Sequence, residues 1–111
     1  MRILIVGALL LASAGTAAAT QHYDGIYQIG QCDASNPETR ITIASSIVTY
    51  YESSCEMTNG VAIRDMEEAY LFDAICTGEG LTWSERVFMQ ATAQGGMVQV
   101  RRGSAQTYLP C

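Results

Sequence analysis

Two short stretches hold the residue types that do chemistry. Residues 76–83, CTGEGLTW, place a cysteine, a glutamate between two glycines and the chain's only tryptophan close together, with Glu85 two positions further on. They offer a thiol for redox work and carboxylates for acid/base work. The second stretch is Thr20-Gln21-His22. Cleavage before Thr20 would leave a free α-amine, two backbone amides and the His22 ring as a square-planar nitrogen set for Cu(II) or Ni(II).

The thiol reading fails on spacing. Cys32, Cys55, Cys76 and Cys111 contain no C-x-x-C pair, so neither a zinc knuckle nor a thioredoxin-type dithiol can be built. A nucleophilic cysteine needs a base, and His22 is the chain's only histidine. In an exported chain of this length an even cysteine count reads as a disulfide framework. Three pairings are open; Cys55–Cys76 and Cys32–Cys111 are preferred, the first joining strands close in sequence and the second tying the opening strand to Cys111. Each closes a loop worth roughly 3–5 kcal/mol.

Glu85 is the sharper candidate. Alternation places it on the same strand face as Leu81, Trp83, Val87 and Met89, all expected to point inward. A buried carboxylate must be paired or protonated, and a raised pKa would suit a general acid in a small carboxylate-dependent hydrolase. The competing readings are a barrel mouth, a bulge that turns it outward, or an ion pair with an arginine such as Arg101. Other motifs fall away. Asp65, Glu67 and Glu68 lack the alternate spacing and glycine of a calcium loop and read as solvated. Gly78-Glu79-Gly80 has no lysine or following helix for a nucleotide loop, and Gly103-Ser104-Ala105 is not a G-x-S-x-G elbow.

The elements that must position these residues have period two. Gly25–Ile29, ITIA from Ile41, IVTYYES from Ile47, YLFDAIC from Tyr70, WSERVFMQA from Trp83, MVQVRR from Met97 and AQTYLPC from Ala105 all read as strands. Asp33–Pro37 is a loop, Ser45-Ser46 a turn, and Asn59-Gly60 has the composition of a two-residue hairpin turn. Gly78-Glu79-Gly80 is a turn as well, with Glu79 at its tip. About eight short strands with regular turns predict an all-β domain, a small antiparallel β-barrel held by two disulfides, with a two-sheet β-sandwich as the alternative.

Residues 1–19 read as a signal peptide: Arg2, an apolar run from Ile3, and Ala17-Ala18-Ala19 at the cut. The run is too short to span a membrane. Residues 20–111 then form one domain with five arginines, no lysine and eleven carboxylates. Such a chain is a poor partner for nucleic acid and, once the signal is removed, for membrane insertion. The expected location is periplasmic or secreted.

The layout of signal peptide, Gly25-Ile26-Tyr27 opening strand, two cysteine pairs and Cys111 resembles small exported bacterial envelope proteins. Gly25-Ile26-Tyr27 is weakly similar to the Gly-x-Trp opening of lipocalin-type barrels. The size and bridging are similar to periplasmic lysozyme inhibitors, whose Ser-Gly-x-x-Tyr loop Gly103–Tyr108 echoes only roughly. The resemblance implies an architecture and no activity. The functional expectation is a non-enzymatic binding module with no cofactor, an inhibitor or partner of a basic protein. The alternatives are the Glu85 hydrolase and a structural or Cu/Ni-handling envelope protein.

Overall fold

The computed structural model describes residues 23–111. The signal peptide and the Thr20-Gln21-His22 nitrogen set lie outside those residues. Eight strands follow in order: β1 (Gly25–Ile29), β2 (Arg40–Ala44), β3 (Ile47–Thr49), β4 (Ser54–Ala62), β5 (Ala69–Gly78), β6 (Leu81–Ala91), β7 (Met97–Arg101) and β8 (Ser104–Pro110). Each pairs antiparallel with the next, and β8 pairs with β1 through Tyr27↔Pro110, Gln28↔Leu109 and Ile29↔Tyr108. That last ladder closes the barrel and decides against the sandwich. Closure leaves no strand edge to template aggregation.

Three hairpins turn on two residues that both have positive φ: Ser45-Ser46 (52° and 70°), Glu79-Gly80 (51° and 79°) and Arg102-Gly103 (51° and 77°). Such turns match the right-handed twist of the strands they join. CTGEGLTW is therefore the β5–β6 hairpin, with Glu79 at the bend.

Asn59-Gly60 is not a hairpin, and the expectation fails for a packing reason. β4 runs through both residues, and its register with β5 slips between Thr58↔Asp73 and Val61↔Leu71, so two residues of β4 face Phe72 alone. This is a β-bulge, with Asn59 taking the left-handed conformation (φ 53°). A Cβ on Gly60 would stand 2.6 Å from Cε1 of Phe72. The glycine is there to let that buried ring in, and the chain reverses later, in the loop at residues 63–68. IVTYYES is also shorter than expected. β3 stops at Thr49, and the Tyr50 N–H donates to the Ser53 carbonyl at 2.8 Å to start the turn into β4.

The barrel has two unlike ends. At the end holding the 45–46, 63–68 and 92–96 turns, Tyr23 lies fully buried against Tyr70 and Phe72, edge to face with both. Met57, Met89, Met97 and Tyr27 complete this apolar half. The other end, with the 50–53, 79–80 and 102–103 turns, is polar. Outside the barrel, the loop after β1 folds back over Gln28, which is buried though it points away from the interior. The Gln28 amide accepts from the Asp33 N–H at 2.8 Å and donates to the Asn36 carbonyl at 2.8 Å, so its polar atoms are matched.

Both preferred disulfides are present. Cys55–Cys76 bridges directly paired positions of β4 and β5 inside the barrel, and Cys32–Cys111 ties the loop after β1 to the segment after β8. The first is wholly buried and the second exposed. Thiol exchange needs access to sulfur. Mild reductant with alkylation under native conditions is therefore expected to modify Cys32 and Cys111 alone. Cys55 and Cys76 should label only in denaturant. Mass spectrometry of peptides reads the order, and labelling of Cys55 at the same rate as Cys32 would contradict it.

Candidate binding site at the polar end of the barrel

Strand register carries Glu85 inward, as alternation requires: Met57↔Ala74 and Ala74↔Glu85 lie in one interior row. Met97, Gln99 and Arg101 share the inward parity on β7, and Val87↔Arg101 brings the guanidinium within reach. Arg101 Nη2 lies 2.6 Å from Glu85 Oε2, and its Nε 3.1 Å from Oε1, a two-pronged charge-assisted pair. The Glu85 side chain is 6% exposed and that of Arg101 18%. Trp83 Nε1 donates to the same Oε2 at 2.8 Å. Arg101 also stacks 4.2 Å from the centre of the Tyr50 ring.

Of the readings open for Glu85, the structure shows the ion pair with Arg101. Burial pushes the carboxyl up, but the hydrogen bonds from Arg101 and Trp83 and the charges of Arg101 and Arg102 outweigh it, and the net shift is downward. A shift in that direction is opposite to the one that would suit a general acid. Glu85 serves as the buried counter-ion of Arg101 in this structure.

The sign has a consequence for stability. A carboxyl held low contributes stability that is complete above the unfolded value, ~4.3, and is lost as pH falls through the folded value. The melting temperature is expected to fall as pH drops below about 4.3. Glu52 acts in the opposite sense, since its protonation relieves repulsion, and Asp33, held low by hydrogen bonds from Ser35, in the same sense. The difference between the wild type and a Glu85→Leu/Arg101→Met protein isolates the pair. Parallel melting curves from pH 7 to pH 3 would contradict the assignment.

Cys55, Cys76 and Glu85 converge closely enough to suggest a metal site. The two sulfurs are spent on each other and the carboxylate on Arg101, so the oxidised protein offers no ligand set there. Tyr50, its phenol pushed up to about 12 by burial despite the nearby Arg101 charge, donates to Gln99 Oε1 at 2.9 Å.

Around this buried core lies an outer rim. Leu81 and Trp83 were both expected inside, but the β5–β6 hairpin overshoots the barrel. Leu81 is 67% exposed, and Trp83 is half-buried under Arg102, whose guanidinium carbon stands 5.5 Å from the ring centre. These residues line a hollow of about 430 Å³ with Glu52, Ser53, Gly78, Glu79 and Thr82. Glu52 and Glu79 approach each other across it. Hydrogen bonding and then charge repulsion from Glu79 raise the Glu52 carboxyl above its ordinary value. Neither has a cationic partner among the described residues, where the ion pairs are Arg86–Asp73 and Arg101–Glu85.

Sequence reading found Glu85, Arg101 and both cysteine pairs, and missed Tyr50, Gln99 and the Glu52–Glu79 pairing. The inward parity of Met97, Gln99 and Arg101 was a usable signal for Gln99; nothing local announces that two turns bring Glu52 to Glu79. No helix among the described residues is long and apolar enough to cross a membrane. Comparison with known proteins finds no matching family model, no matching curated protein and no matching solved structure.

Proposed function

We propose that this protein is an exported, non-enzymatic binding module whose polar barrel end engages a cationic protein. The observation that carries the reading is the hollow shared by Glu52 and Glu79, two exposed carboxyls that act on each other and form no ion pair among the described residues, with Arg102 on the same lining and Leu81 projecting beside them. A lysine or arginine from a partner would relieve that repulsion, and Leu81 and Tyr51, both more than half exposed, supply apolar contact next to it. The formal charge of −5 for the whole chain favours approach of a basic partner. The two disulfides and the closed sheet fix the hairpins that present the pair, which lowers the ordering cost of binding.

The test is binding to a panel of basic and acidic proteins, including a lysozyme, at low and high salt. Capture of a basic protein is expected, weakening as salt rises, and at least about tenfold weaker for Glu52→Gln/Glu79→Gln. Because a bound cation favours the ionised pair, affinity should also fall as pH drops through the carboxylate range. Absence of any salt-sensitive basic partner, or equal binding by the double variant, overturns the reading.

A further inference from the structure

On the β7–β8 side the polar end opens into a separate hollow of about 360 Å³. Its floor is made by Gln99 and Tyr108, 2% and 5% exposed. Tyr50 and Arg101 stand half-buried in its wall and Arg102 at its open rim. β-strand parity explains the lining: Met97↔Tyr108, Gln99↔Gln106 and Arg101↔Ser104 are cross-strand pairs that face the barrel interior.

Gln99 is the unusual member. Its Oε1 accepts the Tyr50 hydroxyl, but its Nε2 is buried and has no hydrogen-bond partner. Reversing the amide would only move the deficit, because Tyr50 can serve one end of it and would then lose the acceptor for its own proton. Buried donors without acceptors are rare in folded proteins and point to a missing partner. The charge in the hollow is also one-sided. Arg101 is matched by Glu85, whereas Arg102 has no carboxylate partner among the described residues. Arg102, outside any ion pair although its charge also acts on Glu85, the buried Gln99 amide donor and the Tyr50 and Tyr108 side chains thus line a space of the size that small ligands occupy.

We propose that the hollow is a binding site for a small aromatic monocarboxylate, with a carboxylate oxygen on Gln99 Nε2 and the ring against Tyr50 and Tyr108. A single arginine outside an ion pair suits a monoanion better than a phosphate dianion. The tyrosines and the Ile29 side chain favour a flat apolar body over a bare ion. Arg102 at the rim steers the anion in and screens it from the acidic surface.

The test is titration of the ¹⁵N-labelled full chain with benzoate, benzamide, benzyl alcohol and inorganic phosphate, followed by amide spectra that include side-chain NH₂ signals. Benzoate should saturate and shift the Gln99 side-chain signal. Benzamide and phosphate should bind at least about tenfold more weakly, and benzyl alcohol should not bind measurably. Gln99→Leu keeps the volume without the donors and should lower benzoate affinity at least about tenfold in a folded protein, and Arg102→Gln should weaken it several-fold. No saturation by benzoate, phosphate binding equal to benzoate, or unchanged affinity in Gln99→Leu each overturns the proposal. Glu52→Gln/Glu79→Gln should not weaken benzoate binding, since it removes negative charge beside Arg102, which lines both hollows, so loss of the basic partner and loss of the carboxylate site are separately visible.

Discussion

Replacing Arg101 with methionine is expected to destabilise the protein by about 3–5 kcal/mol, the range for breaking one side of a buried ion pair. The cost arises from what is left behind. Glu85, with its side chain 6% exposed, would keep only the Trp83 N–H as a partner and would have to take up a proton or draw water into the barrel. Tyr50 would also lose the cation on its face. For a domain of this size each kcal/mol lowers the melting temperature by ~4–8 °C, so the change should exceed about 10 °C. Glu85→Leu alone should be comparably damaging, since it strands the guanidinium. The double replacement Glu85→Leu/Arg101→Met should recover most of the loss, because apolar residues of similar volume often substitute for a buried pair at little cost. Urea unfolding of the four proteins completes the cycle. A single-variant loss below about 1 kcal/mol, the size expected of a surface pair, would mean that the pair is effectively solvated.

The same residues show what the sequence could and could not reveal. An inward carboxylate in β6 demands a cation, and β7 supplies Arg101 at the matching parity, so alternation alone narrows the choice of partner. The period-two signal also carried the strands and, through them, the cysteine pairings: Cys55 and Cys76 can bridge because they are direct cross-strand neighbours. Local composition failed where a distant residue decided the outcome. Asn59-Gly60 has hairpin chemistry, but the Phe72 ring needs the space that Gly60 leaves, and the bulge results. Leu81 obeys alternation and is nonetheless exposed, because nothing in its own strand says how far the β5–β6 hairpin overshoots its neighbours. Gln28 and Gln99 are both buried, one beneath the loop after β1 and one at the base of the hollow that barrel closure forms. Neither enclosure is written in the two strands that carry them.

Tyr23→Ala is expected to cost about 3–5 kcal/mol, the range for truncating a buried large aromatic, although Tyr23 precedes the first strand. The ring closes the apolar end of the barrel: it is 1% exposed and meets Tyr70 and Phe72 with centroids 6.5 Å away in both cases. Its hydroxyl donates to the Glu68 carbonyl at 2.7 Å, with the Met89 carbonyl at 3.2 Å, so one side chain ties the segment before β1 to the β4–β5 loop and to β6. Its own carbonyl accepts the Tyr27 hydroxyl at 2.7 Å, which locks the segment to the strand it precedes. Removing the ring leaves a cavity among side chains held by a closed sheet, which relaxes little, and the cavity contribution should therefore sit near the top of the range. Tyr23→Phe keeps the packing and deletes the hydroxyl, for an expected loss of about 1 kcal/mol. Equilibrium unfolding of the two variants separates the contributions: equal losses would assign the anchoring to the hydrogen bonds, whereas a several-fold larger loss for alanine assigns it to the ring as the plug of the barrel.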